Sequence, residues 1–319
     1  MTAAEPAPKA GDDLRPLQIV RQNGFAITAT VLSSLAFLAN DTMIKLASDT
    51  LSISQVIVVR GVFATLLLLA ASAVTGQFRS IVRIRDRKVL ARAMFEVAGT
   101  YFFLIGLFHM PIANVTTIFQ SMPFMMTIMA VVFLGEKVGV RRWTAIAVGF
   151  AGVILVMRPD TGGFNIYALS VILAAVTIAA RDILTRKLDS DIPSIVIAFA
   201  TSLAVTLSGF VAAPFEDWAP LTATDIAWLG LASICLISGY FLIVASIRAG
   251  EISVLAPFRY TIIVFALLSG YLIWGDVPDP LSAVGILLIA GSGIFVFVRE
   301  RRLGRRIALR PRWGRGSGV

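Results

Sequence analysis

The sequence predicts an all-α membrane protein, ten transmembrane helices folded as two inverted five-helix repeats around a central cavity. A repeat carries the architecture: Phe133-Leu134-Gly135-Glu136 returns about 140 residues later as Ile273-Trp274-Gly275-Asp276, each time closing one long apolar run just before the next opens. Self-similarity at a fixed period decides architecture before any local feature does. Composition carries the solvent. With 57% hydrophobic and 15% charged residues and a mean hydropathy of +0.85, the 319 residues hold more apolar surface than a water-soluble fold of that length buries. Apolar runs of about 17 to 25 residues, each able to span a hydrocarbon core, carry the element type.

Residues 1–22 are rich in Ala, Pro and charge, and Asp12 and Asp13 stand where a secretory signal carries basic residues. They read as a disordered cytoplasmic arm. Helices follow near 25–47, 54–75, 90–108, 112–134 and 142–157, the first repeat (23–158). The second repeat (159–298) holds helices near 165–187, 194–213, 224–247, 252–274 and 281–298, and a basic tail covers 299–319. The break between the third and fourth rests on His109-Met110-Pro111, because proline turns the residue before it away from helix.

Orientation comes from cations. Arg79, Arg83, Arg85, Arg87, Lys88 and Arg92 crowd the second connection, Lys137, Arg141 and Arg142 the fourth, Arg186 and Lys187 the sixth. The intervening connections carry Arg158 almost alone. Excess Lys and Arg marks the cytoplasmic side, so both termini are expected inside a bacterial-type inner membrane. The net charge of +9 is thus topological, with attraction to anionic lipid, and points to no nucleic acid. Five crossings per half set the halves upside down to each other, a geometry of transporters that open alternately to each side. One cysteine, Cys235, and one histidine, His109, leave no disulfide, metal cage or Ser-His-Asp set, and no Walker loop is present. No enzyme, metal or cofactor is expected.

The run Phe133-Leu134-Gly135-Glu136 followed by small residues at Ala145 and Gly152, and the copy Ile273-Trp274-Gly275-Asp276 followed by Gly285 and Ser292, resemble the repeat signature of the EamA family in the drug/metabolite transporter superfamily. Ala145 and Ser292 stand where the family pattern has Gly. Small side chains seven apart share a helix face and let a neighbouring backbone approach, so they mark the fold and not the cargo. The resemblance covers Phe25 to Val298 and implies a ten-helix basket whose cavity is lined mainly by helices one, three, four, six, eight and nine. It further implies transport of amino acids, nucleotide-like compounds, vitamins or drugs.

Ionisable groups inside membrane helices are costly and mark candidate pathways. Asp41, Lys45 and Arg60 fall in the outer third of their helices; Glu96, Arg181, Asp182 and Arg259 fall in the inner third. Asp41 and Lys45, and by the repeat Asp182 and Arg186, stand at i and i+4 and are expected to pair, one pair at each mouth. Asp41, Lys45, Arg60, Glu96, Arg181 and Asp182 are the candidate gate or coupling groups. Arg259 could bind cargo or take Asp182 or Glu96 as counter-ion.

Pro123 and Pro257 should break helices four and nine, and broken helices at matching places point to a transporter site. The prolines themselves are offset by about six residues after alignment, whereas Gln120 aligns with Tyr260 and Tyr101 nearly with Tyr240. Arg259, Tyr260, Gln120, Tyr101, Tyr240 and Asn40 are the candidate substrate residues. The expected function is secondary transport of a small polar metabolite, amino acid or derivative first, with proton or ion coupling a possibility the three deep acids leave open. The alternative is a lipid-handling or structural membrane protein whose buried charges are static ion pairs. Charges facing a shared cavity favour the first; charges locked pairwise between helices favour the second.

Overall fold

A computed structural model describes residues 14–74, 86–136, 138–157, 165–185, 193–249 and 252–308. The connection bearing Arg79, Arg83 and Arg85, and the residues Lys137, Arg158, Arg186 and Lys187, lie outside the described residues.

The chain runs α1 (Leu14–Ala47), α2 (Ile53–Val74), α3 (Arg87–His109), α4 (Ile112–Phe119), α5 (Met122–Leu134) and α6 (Val140–Met157). It continues through α7 (Ile166–Thr185), α8 (Ser194–Ala212), a 3₁₀ turn (Ala213–Phe215) and α9 (Ala223–Ala249). The remainder is α10 (Ile252–Arg259), α11 (Thr261–Ser269), a π turn (Gly270–Trp274) and α12 (Pro280–Ala308). No strand occurs among the described residues. Taking α4 with α5 and α10 with α11 as single broken spans, nine helices are long and apolar enough to cross a membrane, and Pro280–Val296 adds a shorter tenth apolar stretch.

Two boundaries differ from the sequence expectation. Helix α1 starts at Leu14, inside the segment expected to be an arm, and α12 runs on to Ala308, inside the expected tail. Neither extension contains a proline beyond its first turn, so nothing in the backbone stops a helix where hydropathy falls.

The repeat signature has a conformational cause. Gly135 and Gly275 sit at φ +67° and +71°, the left-handed region, and a Cβ at either would meet no atom within 4 Å. Space does not demand glycine at these positions; φ does. In both copies the next residue closes the same turn, Glu136 N–H donating to Ala130 C=O and Asp276 N–H to Gly270 C=O. The small-residue face is also where helices meet most closely. A Cβ on Gly152 would strike the Gly285 carbonyl and one on Gly285 the Gly152 carbonyl, so α6 and α12 cross backbone against backbone.

Packing follows one rule. Helix α1 packs on α9 and α3 on α7, while α2 packs on α8 and α6 on α12. Exchanging the halves turns the first pair into the second and returns each of the other two to itself. Because lipid tails are as apolar as Leu, hydrogen bonds between helices add to this packing, at roughly 0.6 kcal/mol each on average. Examples are Thr30 with Ser246 at 2.5 Å and Thr65 with Ser202 at 2.9 Å.

Candidate functional site

The charged residues gather at the two ends of the bundle. At the first end, α1 finishes beside the end of α3 and the π turn, but Asp41 and Lys45 do not pair as their spacing predicts. Lys45 Nζ donates instead to Leu107 C=O at 2.9 Å and Met110 C=O at 2.8 Å, 5.7 Å from the Trp274 ring centre. Pro111 explains the choice. It has no N–H for Leu107 C=O, and Asn114 N–H bonds Pro111 C=O at 3.0 Å rather than Met110 C=O. Two carbonyls are left without backbone donors, and an ammonium with three N–H groups takes both.

More contacts seal this end. Thr42 and Ser269 hydroxyls meet at 3.0 Å. Glu216 accepts from Ser54 N–H at 2.8 Å, Trp218 Nε1 donates to Ser54 Oγ, and Gln55 Nε2 donates to Ala219 C=O at 2.6 Å. Asp225 accepts from Thr222 and Thr50, tying α9 to the α1–α2 turn. The largest buried apolar cluster, including Ile44, Leu107, Ile112, Val153, Leu229 and Ala266, fills the half toward this end. Behind it, Asn40 is 3% exposed and bridges two charges, donating from Nδ2 to Asp41 Oδ1 at 2.9 Å and accepting from the Arg60 guanidinium at 3.3 Å.

The opposite end is built on Arg181. Its guanidinium donates to Glu96 Oε2 across the α3–α7 interface at 2.5 Å and to Asp182 Oδ1 at 2.6 Å. Asp182 therefore pairs with its neighbour; Arg186, its expected partner, lies outside the described residues. Arg92, counted from sequence as a loop cation, joins this group: it donates to Thr185 Oγ1 at 2.9 Å and Thr201 Oγ1 at 2.5 Å. Its i, i+4 relation to Glu96 on α3 was the available signal. Tyr240 on α9 is 50% exposed, packs edge-on against Phe37, and lies within electrostatic reach of Glu96, Arg181, Arg92 and Asp182. Its open side therefore faces the interior space between α1, α3, α7 and α9. Among the described residues the buried clusters in this half are small, Val89 with Val196 and Ala200, and Met125 with Ala175 and Ala179.

Midway, both broken spans turn at matching residues. Gln120 (φ −67°, ψ −1°) and Tyr260 (φ −74°, ψ −7°) each leave helix for one turn, although one proline follows its break and the other precedes it. The offset prolines thus produce aligned breaks. Gln120 is half-buried and its amide makes no side-chain hydrogen bond among the described residues. Tyr260 is 5% exposed, its ring against Gly293 and its hydroxyl without a partner. Arg259 beside it is exposed and forms no ion pair among the described residues; Asp182 lies within its electrostatic reach, but Asp182 and Glu96 are both held by Arg181. Tyr101 is not brought to this group. Its hydroxyl donates to Ser208 C=O at 3.0 Å, and its ring lines an apolar groove of about 600 Å³ between α3 and α8, with Met94, Val97, Leu207 and Val211, on the flank of the bundle.

The profile of the EamA-like transporter family matches the chain twice, over residues 24–158 and 165–298. The chain belongs to the EamA-like transporter family. An S-adenosylmethionine uptake transporter of Rickettsia bellii is 26% identical over 272 residues, 85% of this chain and 93% of its own. A pseudopaline exporter of Pseudomonas aeruginosa is 27% identical, over 82% of this chain and 92% of its own. A riboflavin transporter of Rhizobium johnstonii is 27% identical, over 69% and 72%. A solved crystal structure shares the fold with TM-score 0.59 at 18% identity, over 86% of this chain and 98% of its own. This EamA-family chain is accordingly a multi-pass bacterial membrane protein that transports small metabolites, and not an enzyme.

Proposed function

We propose that the chain is a secondary transporter of a small metabolite carrying a carboxylate, an amino acid or a derivative of one, working by alternating access between inverted halves. The observation that carries this is Arg259: an exposed guanidinium without an ion pair among the described residues, one residue from the break in the ninth span, on the side of the molecule where the bundle is loosely packed. A planar guanidinium holds a carboxylate through two parallel hydrogen bonds. Arg92, Arg181 and Arg259 against Glu96 and Asp182 leave one cation in excess near the opening. One relative is named for S-adenosylmethionine, itself a methionine derivative, which favours the amino acid reading. With both termini cytoplasmic, the sealed end faces outward and the vestibule opens inward. Gln120 and Tyr240 complete the site.

Purified protein screened by thermal shift against a library of carboxylates and their amide or ester analogues tests this. A ligand at 100 times its dissociation constant stabilises by about 2.7 kcal/mol. Carboxylates should shift the unfolding temperature and their amides should not. Arg259→Lys keeps the charge but loses the fork, and should weaken the best ligand about tenfold or more. Ligands that bind equally as amides, or an unchanged affinity in Arg259→Lys, would remove Arg259 from the site.

A further inference from the structure

Three carboxylates lie deep in the membrane spans, and the structure separates them. Glu96 and Asp182 both accept from Arg181, and Arg92 lies within electrostatic reach of both, so two fixed guanidinium groups offset their two negative charges. Asp41 has no guanidinium in contact; Arg60 acts on it only at a distance, across Asn40. Lys45, on its own helix, has turned away to the carbonyls of Leu107 and Met110. Arg60 on α2 reaches Asn40 and not Asp41, and its Nε is buried without a hydrogen bond. The bond that Asp41 does accept comes from the neutral amide of Asn40. The amide can be oriented one way only: Arg60 is a pure donor, so Asn40 must show it oxygen and turn its NH₂ to Asp41. Around this group, α9 contributes Tyr240 and the hydroxyl of Ser233, which bonds Arg60 C=O; α3 contributes Glu96, whose charge reaches Arg60; α11 contributes Ser269, bonded to Thr42; and Arg259 is the cation of α10. None of these is an ion-pair partner of Asp41.

We propose that Asp41 is the proton-carrying site of the transport cycle, with Asn40 and Arg60 as its positioning residues. This deepens the transporter reading and rests on it for its physiological meaning. A carboxylate at membrane depth without a paired cation is stable as the neutral acid or when a cation accompanies it. The cation is taken to be a proton because the side-chain contact of Asp41 is the Nδ2–H of Asn40, a donor with no lone pair to offer a metal ion. The step is a simple exchange: Asp41 carboxylate takes H⁺ from water when the path to it is open on one side and returns the same H⁺ on the other. Each exchange changes the charge of the Asp41–Asn40–Arg60 group by one, while Arg60 stays charged throughout. Opening the sealed end breaks Lys45 away from its carbonyls, and Lys45 stands one helical turn from Asp41. Proton occupancy is in this way tied to the position of the nearest gate.

Infrared difference spectroscopy of the full chain in lipid, with pH as the probe and no cargo added, tests this without depending on the cargo assignment. Wild-type protein should show a protonated carboxyl C=O band that grows as pH is lowered. ¹³C-aspartate labelling should move the band to lower frequency and ¹³C-glutamate labelling should leave it in place. Asp182→Asn and Glu96→Gln should retain it, Asp41→Glu should replace it with one at an altered frequency, and Asp41→Asn should abolish it. An absence of any titrating aspartic acid band in the wild type, movement with labelled glutamate, or persistence in Asp41→Asn each overturns the proposal. The isotope arm assigns the band to aspartate without any variant, and Asp41→Glu together with Asp182→Asn then assigns it to Asp41 even if Asp41→Asn does not fold. A positive band with no carboxylate ligand found in the screen would keep the proton site and reject the cargo class.

Discussion

Leu104 and Leu107 on α3 are 2% and 0% exposed, whereas Val244 and Ile247, the residues 140 positions on in α9, are 44% and 43% exposed. Corresponding helices of a duplicated chain thus end differently: α3 closes against α1 and the Trp274 turn, while α9, held to α1 through Ser246, leaves Val244 and Ile247 at the surface. The sequence does not impose this difference. Leu, Val and Ile are equally able to pack, and Gly135 and Gly275 end their helices in the same conformation. On the alternating access proposed above, what differs is which side the halves bring together. A packed end and a loose end built from equivalent helices are what one state of a two-state machine looks like, with the other state obtained by exchanging the roles of the ends.

The largest expected effect lies at the loose end, where Arg181 stands in for an apolar core. Arg181 and Glu96 are 14% and 15% exposed, and removing the guanidinium strands two carboxylates near each other inside the membrane. Breaking a buried pair costs about 3 to 5 kcal/mol. Arg181→Ala should therefore lower folded yield and unfolding temperature sharply, and Glu96→Gln added to it should restore part of the loss. A stable Arg181→Ala would mean that packing elsewhere holds α3 to α7.

At the sealed end the effect should be on populations. Hydrogen bonds from a charged donor contribute about 1.5 to 3 kcal/mol each. Lys45→Met forfeits two of them while keeping the apolar stem, which biases the molecule toward opening. A cysteine at Ala113, 4% exposed in the sealed core, reports on this in a Cys235→Ser background. A membrane-impermeant maleimide added outside should label Ala113→Cys at least tenfold faster with Lys45→Met than without it. Equal rates would show that Lys45 only caps α3, and labelling from the inside alone would reverse the orientation argued from the cations.

Much of this contrast could not be read from the chain. Ten spans, the glycine stops, the break at His109-Met110-Pro111 and a close backbone approach at Gly152 and at Gly285 follow from local rules of length, φ and side-chain size, and these were legible; that the two glycines meet each other was not. The breaks at Gln120 and Tyr260 were half legible, since each proline marks a zone where hydrogen bonds fail but not the residue that turns. Charge pairing was misread because i, i+4 spacing names an available partner and cannot weigh it against others from distant helices. Lys45 preferred two carbonyls orphaned by Pro111, whose missing N–H was in the sequence and whose proximity was not. Asp182 bonds its neighbour Arg181, its expected partner Arg186 lying outside the described residues, and Arg92 joined across α7 and α8. Tyr101 aligned with Tyr240 and yet lies on the flank, because near-alignment of two residues does not fix which face of a helix each occupies.

The smallest effect tests the equivalence on which the comparison rests. Gly135 and Gly275 share φ, hydrogen-bond closure and empty surroundings, so replacing either should cost the same through backbone strain alone. Placing an L side chain in the left-handed region costs roughly 1 to 2 kcal/mol, less for Asn, which visits it routinely. Gly135→Ala and Gly275→Ala should each destabilise by about that amount, Gly135→Asn and Gly275→Asn by less, and the double Ala variant by the sum of the two. Urea unfolding in mild detergent reads all five. Equal losses support two copies of one stop signal, and the ends then differ by state. If Gly275→Ala were far worse than Gly135→Ala, the Trp274 turn would owe its packing to that glycine, and the sealed end would be sealed by sequence instead of by conformation.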